Sequence, residues 1–304
     1  YLHSIQLNKA FPQELLLQQN KLAVAMEKDP AEFSGLWYEN ELLLRSMRFS
    51  WYGKGDWQNN SVGRQETELL EKSFNLRKSK YLIDDFEVEV SYEVLPEPEA
   101  MRFDFSLTAL NDVQVGGGDP PGGAHFPALT IPDKFDHYLK INEDGSYSKY
   151  TRKDFPWMRP GFFEDNYMIA RCDEKTEKGV LLLLDSRAYP HLRQMPFFNT
   201  SGLCWSRDAW RMFRKGEKIK GQLYCIPFSG DLQAKISAAK QAYCAPELAQ
   251  RQIKNERYTD YENKAPESYY KMGNYKDFSV YAGAMQLILP EQKMPQKEAR
   301  EIYL

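Results

Sequence analysis

Apolar runs are short in this chain. Val180–Leu184 is five residues, far from the roughly 20 that a membrane-spanning helix needs, so no transmembrane span is expected. Cysteine is scarce: Cys172, Cys204, Cys225 and Cys244 show no CxxC or CxxH spacing, which argues against a zinc site. The four are simplest as free or buried thiols, and their even number leaves a disulfide open. Charge of one sign is also lacking. A net charge of −3 and a pI near 6.0 do not suit a nucleic-acid binder that works by wide phosphate contact. No GxSxG elbow occurs, so no serine nucleophile is indicated. Gly116–Gly118 belong to no GxxxxGK[ST] motif, and the following Asp-Pro-Pro-Gly-Gly does not enter a helix. A phosphate cradle lacks its main element there. No cofactor and no metal are expected: Asp133, Asp136 and His137 match no common ligand spacing. There is no βαβ alternation and no fixed-period repeat.

What is abundant is aromatic. The 304 residues include 19 Tyr, 17 Phe and 6 Trp. Such side chains favour strands, and their rings also line grooves that hold the C–H faces of sugars. The sharpest period-two signal is Phe86 to Val94, apolar at every second position, and Met101 to Leu107 repeats it. The pair reads as a hairpin with one wet face, turning through Leu95–Ala100. A further hairpin is expected around Glu174–Lys178 and a polar turn at Glu39–Asn40, while Glu14–Glu27 reads as a hairpin turning at Gln19–Asn20 or as an amphipathic helix, the hairpin being favoured. A turn at Phe213–Glu217 leads into a strand over Lys218–Phe228, and Met47–Trp51 reads as a strand. Arg64–Leu70 suits a helix start or a polar strand. Past Gly230 the pattern changes to helices over Asp231–Tyr243 and Glu247–Tyr258, with Pro246 at the first position of the second. The expected fold is mostly β, a large antiparallel β-sandwich over residues 1–230. A helical and irregular extension over 231–304 is expected to pack on it.

Val115 to Phe163 is the expected functional face. Its five glycines, two prolines, His125, His137 and the Trp157–Pro160 run read as a long polar and aromatic loop, where binding and catalysis are usually placed.

Two fragments resemble the galactose-mutarotase-like supersandwich family, which includes aldose epimerases and accessory domains of glycoside hydrolases and polysaccharide lyases. Arg48-Phe49-Ser50-Trp51-Tyr52-Gly53 looks like the strand end near the start of some members. Phe213 to Tyr224 looks like the family's late turn before a closing strand. The layout matches over roughly residues 14–230. The NHxYFNL-type segment of true aldose epimerases is absent, so the resemblance bears on fold more than on activity.

The resemblance implies a carbohydrate ligand on a concave sheet face and an epimerase-like or other glycan-processing isomerase chemistry. A histidine would protonate the sugar ring oxygen and a carboxylate would take the anomeric proton. His125 and His137 are the candidate acids. Glu66, Glu164 and Asp165 are the candidate bases. Arg64, two residues before Glu66, would share its face on a strand. Trp157 and Trp205 are candidate ring platforms, and Arg159 a guanidinium for hydroxyls or a uronate. The rival readings are a non-catalytic module that docks its Tyr-rich C-terminal region on a protein partner, and a barrel with an apolar ligand. The scarcity of Asn-Gly-type hairpin turns speaks against the barrel. A chain opening on Tyr1 would suit removal of a signal segment and a secreted or periplasmic protein.

Overall fold

The computed structural model describes residues 16–26, 33–53, 56–59, 64–116, 124–142, 144–151, 168–185, 193–196, 202–207 and 210–243. They form antiparallel sheets and one helix after the last strand. Strands β1 (Leu16–Gln19), β2 (Leu22–Met26), β3 (Phe33–Tyr38) and β4 (Glu41–Leu44) make a four-stranded sheet in chain order. A five-stranded sheet joins β5 (Ser46–Gly53), β6 (Asp56–Asn59), β12 (Ala124–Thr130), β17 (Arg193–Pro196) and β18 (Gly202–Arg207), in the order β17-β18-β12-β5-β6. β11 (Val113–Gly116) pairs with β19 (Trp210–Phe213).

The largest sheet has nine strands: β7 (Arg64–Lys72), β8 (Leu76–Ile83), β9 (Phe86–Pro96), β10 (Glu99–Ala109), β13 (His137–Ile141), β14 (Tyr147–Tyr150), β15 (Met168–Asp173), β16 (Lys178–Asp185) and β20 (Lys218–Ser229). Its order is β14-β13-β15-β16-β20-β10-β9-β8-β7. None of the described sheets closes on itself, so the barrel reading finds no support among the described residues.

The hairpins follow from local chemistry. Glu39 and Asn40 both have positive φ, 50° and 67°, which gives the turn the twist that flanking strands need. Asn20 (φ 49°) opens the β1–β2 turn in the same way, since asparagine tolerates the left-handed region best after glycine. In β9 and β10 the inward residues Val88, Val90, Tyr92, Phe103 and Leu107 are buried and the residues between them are not. Residues of all four sheets contribute to one core, from Leu17 and Met26 through Trp51 and Leu129 to Phe86, Val113 and Phe213. Each fully buried large apolar side chain there contributes about 1.5–3 kcal/mol. Trp51 meets Phe86 edge-on at 5.0 Å between centroids, and Phe86 meets Phe213 likewise at 5.7 Å.

A second core lies on the other face of the nine-stranded sheet. Leu139, Ala170, Leu181, Leu183, Ile226 and Phe228 are covered there by helix α1 (Leu232–Tyr243) through Ile236 and Ala239. Asp231 starts the helix: its Oδ1 accepts the N–H of Ala234 at 2.9 Å, as an N-cap should. Lys240 sits in the last turn, where the helix dipole favours a cation.

One expectation needs correction. The Val115–Phe163 stretch is not one long loop, because β12, β13 and β14 run through it. The backbone polar groups of these strands find partners in two sheets, which a surface loop would have to offer to water. Of the two readings open for Arg64–Leu70, the strand is the one formed, paired with β8. The expected helix after Pro246 and the rest of the chain from residue 244 onward lie outside the described residues.

Candidate functional site

The outer face of the nine-stranded sheet is divided. One half, over β13, β15, β16 and the C-terminal part of β20, is apolar and lies under α1. The other half, over β8, β9, β10 and the N-terminal part of β20, is polar. Strict alternation puts it there: residues whose neighbours point into the main core must themselves point out. The strand registers then set these residues in rows. Glu93 lies opposite Arg102, and Arg102 opposite Tyr224. The next row is Lys78, Ser91, Asp104 and Gln222, and the one after it is Lys80, Glu89, Ser106 and Lys220.

Five of these side chains form a continuous relay across three strands. Arg102 Nη2 lies 2.6 Å from Glu93 Oε2, and its Nε lies 3.0 Å from Asp104 Oδ2. The second contact is an ion pair without an aligned hydrogen bond, since Arg102 Nε has no hydrogen-bond acceptor. Asp104 Oδ1 accepts from Gln222 Nε2, and Gln222 Oε1 accepts from Tyr224 Oη at 3.0 Å. Glu93, Arg102 and Asp104 are half-buried at 23%, 35% and 34% side-chain exposure, so water reaches the relay from one side only. The relay ends at a wall. The Tyr224 ring stacks on Tyr243 of α1 at 4.4 Å and 13°, and Tyr243 Oη donates to the Pro98 carbonyl. Burial and the nearby Tyr224 push the Tyr243 phenol up to about 12. On the far side, Lys78 Nζ meets Glu89 at 2.8 Å, which lowers the Glu89 carboxyl from its ordinary range. The result is a polar floor beside a raised helix, a ledge lined by acceptors, donors and one aromatic pair.

The sequence-predicted site residues that are described lie on other strands. His137 opens β13, four strand positions from β10 across the sheet. Its ring is buried between two carboxylates: Nδ1 is 2.7 Å from Asp136 Oδ1 and Nε2 is 3.2 Å from Glu174 Oε2. Lys149 Nζ also pairs with Glu174. That pairing, with His137 as a lesser cause, holds the Glu174 carboxyl below its usual range. Cys172 lies directly opposite His137 on β15, and burial pushes its thiol up to about 11. A thiol so raised is a poor nucleophile near neutral pH. Among the described residues no group of three or more His, Cys, Asp or Glu is arranged to hold a metal.

His125 is in a different sheet. It lies in β12, opposite Ser50 of β5 and Ser206 of β18. Trp205 is the preceding residue of β18, opposite Gln194 of β17. Arg64 and Glu66 lie on β7, the edge strand seven positions from β13, so they are not brought to His137. Glu66 is exposed with φ 52°, and the β7–β8 register breaks between Gln65 and Glu68. Such a bulge resets the count of alternating sides. Trp157, Arg159, Glu164 and Asp165 lie outside the described residues. Sequence reasoning misses the ledge itself, although its signal is there: the polar positions of Phe86–Val94 and Met101–Leu107 read only as a wet face. Nothing in the sequence says that Lys218–Phe228, over 100 residues later, completes the rows.

No family model matches the chain, and no curated protein matches it in sequence. Among solved structures, it is similar to a galactose mutarotase related enzyme from Lactobacillus acidophilus at 12% identity and a TM-score of 0.42, over 70% of this chain and 97% of that one. A galactose mutarotase-like protein from Lactobacillus casei is similar at 11% identity and 0.41, over 70% and 99%. Galactose 1-epimerase from Lactobacillus acidophilus is similar at 10% and 0.38, over 69% and 92%. The resemblance to galactose-mutarotase-like proteins is present and weak, and it assigns no chemistry to any residue.

Proposed function

We propose that this protein binds a saccharide on the ledge formed by β9, β10 and β20 beside the end of α1. The observation that carries this reading is the Glu93–Arg102–Asp104–Gln222–Tyr224 relay. A sugar presents hydroxyls that donate and accept at once, and such a ligand is matched by a floor that alternates carboxylate, guanidinium, amide and phenol. Because the five side chains already hold one another in place, little rotamer freedom remains to be lost on binding. The Tyr224–Tyr243 pair gives the ledge an apolar border, where the C–H side of a pyranose would rest. The reading is one of binding. The described groups on the ledge do not include His137, whose two ring nitrogens already face carboxylates of the chain.

The test is a glycan array followed by calorimetric titration with the best-bound oligosaccharide. Arg102→Ala and Asp104→Asn are expected to weaken binding about tenfold or more, the size of losing one or two hydrogen bonds to charged groups. Glu68→Gln, on the edge strand away from the ledge, should bind like the parent. Following anomer signals by NMR in the same titration separates binding from turnover, and binding alone is the expected result. Absence of any glycan binding, or binding indifferent to Arg102→Ala, would sink the proposal.

A further inference from the structure

We infer that His137 is a proton-operated clasp that fastens the 131–136 segment to the β15–β16 turn. The inference does not depend on the saccharide reading. It rests on the geometry of one ring between two carboxylates from different elements. Asp136 precedes the histidine on the segment that leads from the five-stranded sheet into the nine-stranded one. Glu174 stands in the turn after β15.

Only an imidazolium can donate at both nitrogens; the neutral ring has one N–H and one lone pair. Protonated, His137 bonds both carboxylates at once and joins the two elements. Deprotonated, it turns a lone pair toward one carboxylate oxygen, and that bond breaks. The bond that survives is the shorter one, 2.7 Å to the adjacent Asp136, which holds the proton on Nδ1. The bond to Glu174, at 3.2 Å, is the one that opens. Other groups around the ring fix this outcome. Lys149 on β14 keeps Glu174 occupied after release. Cys172 on β15 is directly opposite but buried as a thiol, and Arg171, Asp173 and Asp136 lie close enough to influence it. Arg171 itself is committed to the Phe135 carbonyl, to which its Nε and Nη2 donate at 2.9 and 2.6 Å. The segment also keeps a second tie, from Lys134 to Glu41. Opening the clasp therefore loosens one end of the segment without freeing it.

The experiment is NMR of the full chain between pH 5 and pH 8, with the histidine resonance assigned through His137→Asn. Three results are expected. The neutral ring carries its proton on Nδ1. Amide exchange at residues 133–137 and 174–177, corrected for intrinsic pH dependence, quickens several-fold on deprotonation. In Glu174→Gln that change disappears, because the glutamine amide donates to the neutral Nε2 and holds the clasp shut. Glu174 is exposed, so this variant is expected to fold. A neutral form protonated on Nε2, parent exchange that does not quicken on deprotonation, or exchange in Glu174→Gln that quickens as it does in the parent would each overturn the inference.

Discussion

Phe228 closes over Gly179. The two lie opposite each other on β20 and β16, and a Cβ added at Gly179 would stand 2.7 Å from the phenyl Cζ. It would also stand 2.1 Å from the Arg171 carbonyl oxygen and 2.9 Å from Cys172 Cα, which are backbone and cannot swing aside. Gly179→Ala is therefore expected to cost about 1–3 kcal/mol by overpacking. Urea denaturation measures it. Adding Phe228→Ala should not restore the loss, because the closest obstruction is the backbone of β15.

Phe86 is expected to be among the costliest truncations. It is fully buried and meets both Trp51 and Phe213 edge-on, so it joins three sheets. Phe86→Ala should cost about 3–5 kcal/mol, the usual sum of lost transfer energy and a cavity. The same truncation at Phe74, which is 73% exposed, should change stability by no more than about 0.5 kcal/mol in the same titration.

Asp231 tests how firmly α1 is held. Asp231→Ala removes the acceptor for the Ala234 N–H and should cost about 1 kcal/mol. Asp231→Asn, which keeps an acceptor, should be nearly neutral. Thermal unfolding followed by circular dichroism distinguishes the pair.

Acid should weaken the fold through paired carboxylates. The Glu39 carboxyl is lowered mainly by its hydrogen bond to Lys21, and the Glu89 carboxyl by its bond to Lys78. A lowered carboxyl stabilises the folded state above its unfolded pKa, about 4.3, and that contribution is lost as pH falls through the folded value. The melting temperature should thus fall between pH 5 and pH 3, and the fall should be shallower in Glu39→Gln. Both pairs face solvent, so salt should reduce the difference. The lysines work in the opposite sense. Lys21 and Lys78 are raised by the same partners, so their contribution is present at neutral pH and is lost only as pH climbs through the raised values.

Cys172 and Cys225 are free and buried, and burial raises both thiols, that of Cys172 to about 11. In a Cys204→Ser, Cys244→Ser chain, a thiol reagent at pH 8 should modify neither until denaturant is added. Rapid reaction of the native protein would contradict their placement.

The hairpins are the legible part of this fold. Phe86–Val94 and Met101–Leu107 announce β9 and β10 because alternation is local and needs no partner to be seen. Gln19–Asn20, Glu39–Asn40 and Gly216 mark turns for the same reason. Long-range pairing is not legible. That β16 lies beside β20, and β12 between β5 and β18, depends on which buried faces fit together after collapse. His137 stands out in the sequence for its residue type, and its second carboxylate neighbour comes from a turn 37 residues later, a separation that spacing cannot reveal. The backbone of Glu66 is not legible either: it lies in the left-handed region at a register break, which a pattern of alternating residues does not reveal.

That break in β7 has a consequence for the molecule as a particle in solution. β7 is an outermost strand, and it carries Leu69 and Leu70 in the open. A straight strand of that kind would template pairing with a second copy. The register shifts at Gln65/Glu68 and again at Leu69/Glu71 put its outward N–H and C=O groups out of step with any regular partner. The opposite margin, β14, is only four residues long and bears Lys149. Among the described residues, both rims of the nine-stranded sheet are thus shaped against regular edge-to-edge pairing.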